Sequence, residues 1–194
     1  KNITIPTLVV GGWFDAEDLF GALNTYSSIE NHSSQNNNRL VMGPWTHGAW
    51  ESKEWKQFVY QEFGSNTSQY FQDSIEACFF NFYLKDKGNL HLAEATIFET
   101  GSNQWKNYAA WPPQNVKQVN YFLTANHTLS LQKSSLKNSF DEYISDPAKP
   151  VPYTSGIYGR RFDGYMAEDQ RFASTRPDVL VFETDELSED ITLS

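Results

Sequence analysis

The sequence predicts a chain in two parts, an α/β part over residues 1–88 and an all-β part over residues 89–194. Two short apolar runs, each closed by glycine and separated by a helical pattern, point to neighbouring parallel strands. A longer amphipathic pattern over residues 68–85 supplies a further helix. Beyond Gly88 the helical patterns stop, and strand-like runs alternate with turn signals.

The first strand is Ile5 to Val10, rich in β-branched residues, too short for a buried helix and closed by Gly11-Gly12. Such a run is the pattern of a strand buried on both faces. Asp15, Glu17 and Asp18 follow, and Leu19, Phe20, Leu23, Tyr26 and Ile29 then recur at helical spacing. His32 to Asn38 is polar and aperiodic, a loop. Arg39 to Met42 is the second strand, ending in Gly43-Pro44-Trp45-Thr46-His47-Gly48. Residues 49–66 hold Trp50, Trp55, Phe58, Val59, Tyr60 and Phe63 among charges, a covering loop with a helical turn or two. In the helix from Ser68 to Lys85, Phe71, Ile75, Cys78, Phe79 and Phe82 share one face, and Lys85-Asp86-Lys87-Gly88 supplies cations and a glycine stop. The strand-like runs of the second part are 95–100, 119–123 and 179–184. Gly101-Ser102-Asn103, Pro112-Pro113 and Asp146-Pro147 break them apart.

Composition narrows the function. Fifteen Lys and Arg against 24 Asp and Glu give a net charge of −9, with no basic run. Affinity for nucleic acid comes mainly from cations that neutralise phosphates, so a polyanionic partner is not expected. A neutral or cationic small molecule fits better. The single cysteine, Cys78, allows no disulfide framework and no Cys-based metal site. No apolar run is long enough to cross a bilayer, and no membrane partner is expected. The sequence does not begin with Met and opens about five residues before a core strand, so the chain is expected to be a fragment of something longer.

The chemistry concentrates at the two strand ends. In open α/β sheets ligands bind beyond the carboxyl ends of the strands. Asp15 at one end and His47 at the next can lie side by side, with the carboxylate setting the imidazole's tautomer. The alternative makes Asp15 a helix N-cap and His47 an ordinary loop residue. A nucleophile must complete the first reading, but Gly-x-Ser-x-Gly is absent and Ser155 lies in the β part without that pattern. Glu17 and Asp18 likewise read two ways. Acids in the first turn of a helix gain roughly 0.3–1 kcal/mol each from the macrodipole. Yet three clustered carboxylates repel one another, and a bound ammonium would relieve them. Trp13 and Trp45 follow the two strand ends and either line a pocket or pack as core. His32, His91 and His127 have no ligand-spaced partners, so neither a metal nor a cofactor is expected. Asn-x-Ser/Thr sequons begin at Asn2, Asn31, Asn66 and Asn126 and carry no weight in a chain this rich in Asn.

Gly12-Trp13-Phe14-Asp15 and Gly43-Pro44-Trp45-Thr46-His47-Gly48 resemble the α-amino-acid ester hydrolases and the glutaryl-7-aminocephalosporanic-acid acylase-like proteins. These belong to the cocaine esterase and Xaa-Pro dipeptidyl-peptidase group of serine hydrolases. Trp105, Trp111-Pro112-Pro113, the stretch 143–152, Asp169-Gln170-Arg171 and the stretch 176–182 resemble the group's carboxy-terminal jelly roll. The resemblance implies the end of an α/β-hydrolase domain (1–88) followed by a jelly-roll β-sandwich (89–194), incomplete at its end. It also implies that Asp15 and His47 are the acid and base of a catalytic triad. Glu17 and Asp18 match a carboxylate cluster that holds the substrate's α-ammonium group, and the triad serine lies in sequence outside this chain.

The expected parent is therefore a serine acyl hydrolase (an acylase, esterase or peptidase) acting on α-amino esters or amides such as β-lactam antibiotics or short peptides, the fragment itself being inactive. The alternatives are an Xaa-Pro dipeptidyl-peptidase, a plain carboxylesterase, or a carbohydrate-binding jelly-roll module. Exposed strand edges invite pairing with a second copy, a homo-oligomer. A periplasmic or secreted location is preferred over a cytoplasmic one.

Overall fold

The computed structural model describes residues 2–194, which form two compact units, one ending at Gln114 and the other beginning at Asn115. In the first unit β1 (Pro6–Gly12) leads through α1 (Leu19–His32) into β2 (Asn37–Gly43). Beyond a 3₁₀ turn (Ala49–Glu51) and a small hairpin of β3 (Gln57–Phe58) and β4 (Gln61–Glu62), the chain enters a long helix. That helix runs as α2 (Thr67–Tyr70), a π-helical stretch (Phe71–Glu76) and α3 (Ala77–Lys85). Strands β5 (Ala95–Glu99) and β6 (Gln104–Tyr108) complete the unit. The sheet order is β1-β2-β5-β6, with β1, β2 and β5 parallel and β6 antiparallel to β5.

The core explains this order. Central strand β2 is buried on both faces, with Leu40 and Met42 in one cluster and Val41 in the other. Tyr26 and Ile29 of α1 cover the first face, together with Val9, Ala95 and Ile97. Phe71 and Ile75 of the π-helical stretch cover the second, with Trp45 and Ala49. Truncating Leu40 or Met42 to Ala would cost about 2–5 kcal/mol, the scale for a filled core position.

The structure departs from the sequence reading at several points. Strand β1 lies at the sheet edge and is only half-buried, because no described strand flanks its outer side. Phe20 is 78% exposed, on the face of α1 turned away from the sheet. In the long helix Phe71, Ile75 and Phe79 are buried, but Cys78 and Phe82 are exposed and Tyr83 packs on Phe79 instead. A π turn holds more residues than an α turn, so the buried positions step by four and the expected face slips by one. The helix stops at Asp86, in the left-handed region at φ +52°, ahead of the expected glycine.

The strand 95–99, read as the start of the all-β part, is instead the third parallel strand of the first sheet. Local pattern cannot reveal which sheet a strand joins, so the compact division falls at 114/115 whereas the change of texture falls near 88.

In the second unit β7 (Phe122–Thr124) and β8 (Thr128–Ser130) form a hairpin, bridged at Thr128 to Glu183. A 3₁₀ segment (Asp163–Ala167) and a short helix α4 (Arg171–Ser174) follow β8. The run 179–184 contributes that single bridge and no ladder of its own. Two packed sheets are not formed among the described residues of this unit.

Candidate active site

Parallel pairing of β1 with β2 brings Gly12 opposite Gly43, so both strands end at the same level. Two backbone bonds then lash the loops together: the Trp13 N–H donates to the Gly43 carbonyl at 2.9 Å and the Phe14 N–H to the Trp45 carbonyl at 3.0 Å. Gly12 permits this approach, since a β-carbon there would lie 2.1 Å from the Trp45 carbonyl oxygen. Gly48, directly after the histidine, sits at φ +72°, where a side chain would be strained.

Asp15 and His47 meet in the space these loops define. His47 Nδ1 lies 2.9 Å from Asp15 Oδ2. The other carboxylate oxygen, Oδ1, accepts the amide N–H of Glu17 at 2.8 Å and of Asp18 at 3.0 Å. Each carboxylate oxygen thus has its own partners, one the imidazole and the other two backbone amides. The carboxylate caps the turn ahead of α1, although the helix itself begins at Leu19 with Asp18 as its N-cap residue. Glu17 and Asp18 thus precede the first helical turn, and they are exposed beside the pair.

Exposure separates the partners: the Asp15 side chain is 3% exposed and that of His47 is 55%. Burial pushes the Asp15 carboxyl up, but the Glu17 and Asp18 amides and the His47 imidazole together outweigh it and hold the group below its ordinary range. His47 is raised above its ordinary value, first by its hydrogen bond to Asp15, then by the Asp15 charge, with smaller contributions from Glu17 and Asp18. An ionised carboxylate fixes the imidazole proton on Nδ1 and leaves the Nε2 lone pair free to accept one. Nε2 makes no hydrogen bond among the described residues.

The two tryptophans are held in different ways. Trp45 is 0% exposed, donates its indole N–H to Thr67 Oγ1 at 3.1 Å and packs against Trp50, Phe71 and Trp105. The expectation that it touches substrate is corrected: its side chain turns into the second core cluster, away from the His47 ring two residues on. Trp13 is half-buried, donates to the Phe98 carbonyl at 2.8 Å and packs on Trp111.

Residues without any spacing signal prove to hold the His47 loop. Ahead of the histidine, Trp55 donates its indole N–H to the Pro44 carbonyl at 2.6 Å, and fully buried Thr67 donates its hydroxyl to the Trp55 carbonyl at 3.0 Å. After it, the Trp50 ring stands edge-on to the imidazole with centroids 6.3 Å apart. Among the described residues no group of three or more ligating side chains could hold a metal ion.

Comparison with known proteins gives the family. The family model for the X-Pro dipeptidyl-peptidase C-terminal non-catalytic domain matches residues 87–194, more than half of the chain. The chain belongs to the X-Pro dipeptidyl-peptidase family. A second model of that family, X-Pro dipeptidyl-peptidase itself, matches residues 1–49, the segment holding both Asp15 and His47. Among solved structures, an aminopeptidase from the marine sediment archaeon Thaumarchaeota archaeon superposes with a TM-score of 0.87 at 33% identity, over 96% of this chain and 32% of its own. A selenomethionine-labelled α-amino acid ester hydrolase superposes with a TM-score of 0.83 at 32% identity, over 95% of this chain and 32% of its own. Cocaine esterase from Rhodococcus sp. (strain MB1 Bresler) is 24% identical over the whole chain and 34% of its own length. The chain therefore spans about a third of the length of these relatives of the X-Pro dipeptidyl-peptidase family member.

Proposed function

We propose that this chain carries the acid and base of a serine acyl hydrolase whose nucleophile is supplied by sequence outside residues 1–194. The observation that carries the reading is the 2.9 Å pair between buried Asp15 and half-exposed His47, with Nε2 unengaged among the described residues. In the reaction, His47 Nε2 takes the proton from the attacking serine hydroxyl and returns it to the leaving alcohol or amine. Asp15 keeps the Nδ1 proton in place and stabilises the imidazolium formed between the two transfers. The chain by itself is expected to turn over nothing.

Substrates with an α-ammonium group suit the surroundings. Glu17 and Asp18 set two exposed carboxylates beside the pair. Two structural neighbours above 30% identity are named an aminopeptidase and an α-amino acid ester hydrolase, whereas the cocaine esterase is at 24%. Residues 1–114 are read as the end of a catalytic domain, because β5 and β6 complete its sheet, and the remainder as an accessory jelly roll, while the non-catalytic family model already begins at residue 87.

The test uses the full-length parent. His47→Ala removes general-base assistance and lowers kcat by about 10²–10⁴-fold or more. Glu17→Gln and Asp18→Asn raise KM for α-amino esters and leave KM for the desamino esters in place. Equal effects on both ester series would remove the ammonium-binding role, and an active His47→Ala enzyme would remove the hydrolase reading altogether.

A further inference from the structure

Among the described residues the His47 imidazole is met by Asp15 at Nδ1 and by the Trp50 ring at its edge. More than half of the histidine side chain faces open space, so the orientation of Nε2 depends on how firmly Trp50 is set. Trp50 belongs to the 3₁₀ turn Ala49–Glu51, whose three residues make too few internal bonds to be rigid alone.

One side chain closes that turn from outside. Gln72 Nε2 donates both of its hydrogens, to the Trp50 carbonyl at 2.7 Å and to the Ser52 carbonyl at 3.0 Å. These carbonyls lie at the middle and just past the end of the turn, so a single amide spans it. Gln72 stands in the π-helical stretch, between Phe71 and Ile75, both anchored in the second core cluster at 1% and 2% exposure. The base of the clamp is thus as rigid as the core. Wide π turns recur where a helix must aim a side chain that regular geometry would misdirect.

We propose that Gln72 is a positioning residue for the general base: through the Trp50 backbone it fixes the indole that sets the His47 ring. The inference rests on the hydrolase reading given above. Gln72 touches neither substrate nor reacting atoms. Its removal leaves the Asp15–His47 pair able to form but widens the range of ring orientations in which it does so. Misplacement of about 1 Å in a reacting group costs on the order of 10²-fold, and the same order applies to a clamp that acts through the backbone.

The experiment compares Gln72→Met, which keeps length and helix propensity without donors, and Gln72→Lys, which restores a donor, in the full-length parent. Turnover is measured on an ester substrate and normalised to titrated active serines, alongside KM and the pH profile of kcat/KM. The expected result is a loss of kcat on the order of 10²-fold in Gln72→Met with KM within about twofold. Its acidic limb moves to lower pH as the Asp15 hydrogen bond loosens, and Gln72→Lys recovers most of both changes. A purely structural role would lower the melting temperature and the count of titrated serines while kcat per serine and the pH limb stayed in place, and that outcome overturns the proposal. If His47→Ala remains active, the hydrolase reading has failed first. If His47→Ala is dead and Gln72→Met is unimpaired per serine, only the positioning role has failed.

Discussion

Asp15→Asn is the most discriminating perturbation, because the structure determines which way the amide must turn. The carboxylate has two accepting oxygens, one bonded to the Glu17 and Asp18 amides at 2.8 and 3.0 Å, the other to His47 at 2.9 Å. Asparagine has one acceptor. With its carbonyl toward the backbone, both amide bonds survive. With its carbonyl toward the imidazole, the NH₂ group would face two N–H donors and both bonds would be lost. Two backbone bonds at about 0.5–1.5 kcal/mol each outweigh the one bond to the imidazole, so the backbone retains the oxygen and the NH₂ points at His47 Nδ1. That nitrogen must then accept, which moves the ring proton to Nε2, the atom meant to receive one from serine. Tautomer inversion of this kind lowers kcat by about 10⁴-fold in a serine hydrolase triad, or about 5.5 kcal/mol in the barrier. The variant should stay folded, since the turn ahead of α1 keeps its bonds. Turnover per titrated serine in the full-length parent, with ¹⁵N shifts of labelled histidine, measures both halves of the prediction. An Asp15→Asn enzyme within tenfold of the parent, or an imidazole still protonated on Nδ1, would refute the reasoning.

The same geometry fixes further outcomes. The base works only when neutral, so the acidic limb of kcat/KM in the full-length parent should lie above the ordinary histidine range, the direction set by Asp15. Glu17→Gln and Asp18→Asn should each move that limb to lower pH, and a limb unmoved in both would contradict the electrostatic account. Folding stability carries the same signs: the raised His47 contributes fully below its ordinary value, a contribution lost as pH rises through the folded one. The lowered Asp15 contributes fully above its ordinary value, a contribution lost as pH falls through the folded one. Trp45→Phe removes a buried donor to Thr67 and should cost about 1–2 kcal/mol in chemical denaturation. KM for every substrate should be unchanged, because Trp45 never meets the solvent; a substrate-selective rise would return it to the pocket.

Asp15 and His47 were legible because glycine punctuates both strand ends and a parallel pair levels them. The short apolar runs carried that information locally. What escaped depended on direction or partner. Trp13 and Trp45 each follow a strand-ending glycine within two residues, and nothing in their neighbours states that one indole would seek Thr67 and the other Phe98. The face of the long helix was misjudged beyond Ile75 because a period of 3.6 cannot anticipate a π turn. Strand 95–99 looked like the start of a separate β part, since strand propensity is silent on which sheet it joins. Gln72 left no trace at all: a polar residue on a helix reads as surface until the carbonyls it meets are known.

The parallel run of β1 and β2 has a practical consequence at the other end of the molecule. For both strands to deliver their final residues to one mouth, α1 must carry the chain back, so the bend at 33–36 lies at the far rim of the sheet. Ser34 and Gln35 are exposed there, between buried Ser33 and Asn38. A fluorophore, an affinity handle or an inserted reporter grafted between them would ride a full strand length from the acid–imidazole couple. The molecule thus offers a tethering point from which it could be immobilised or tracked while its mouth stayed clear.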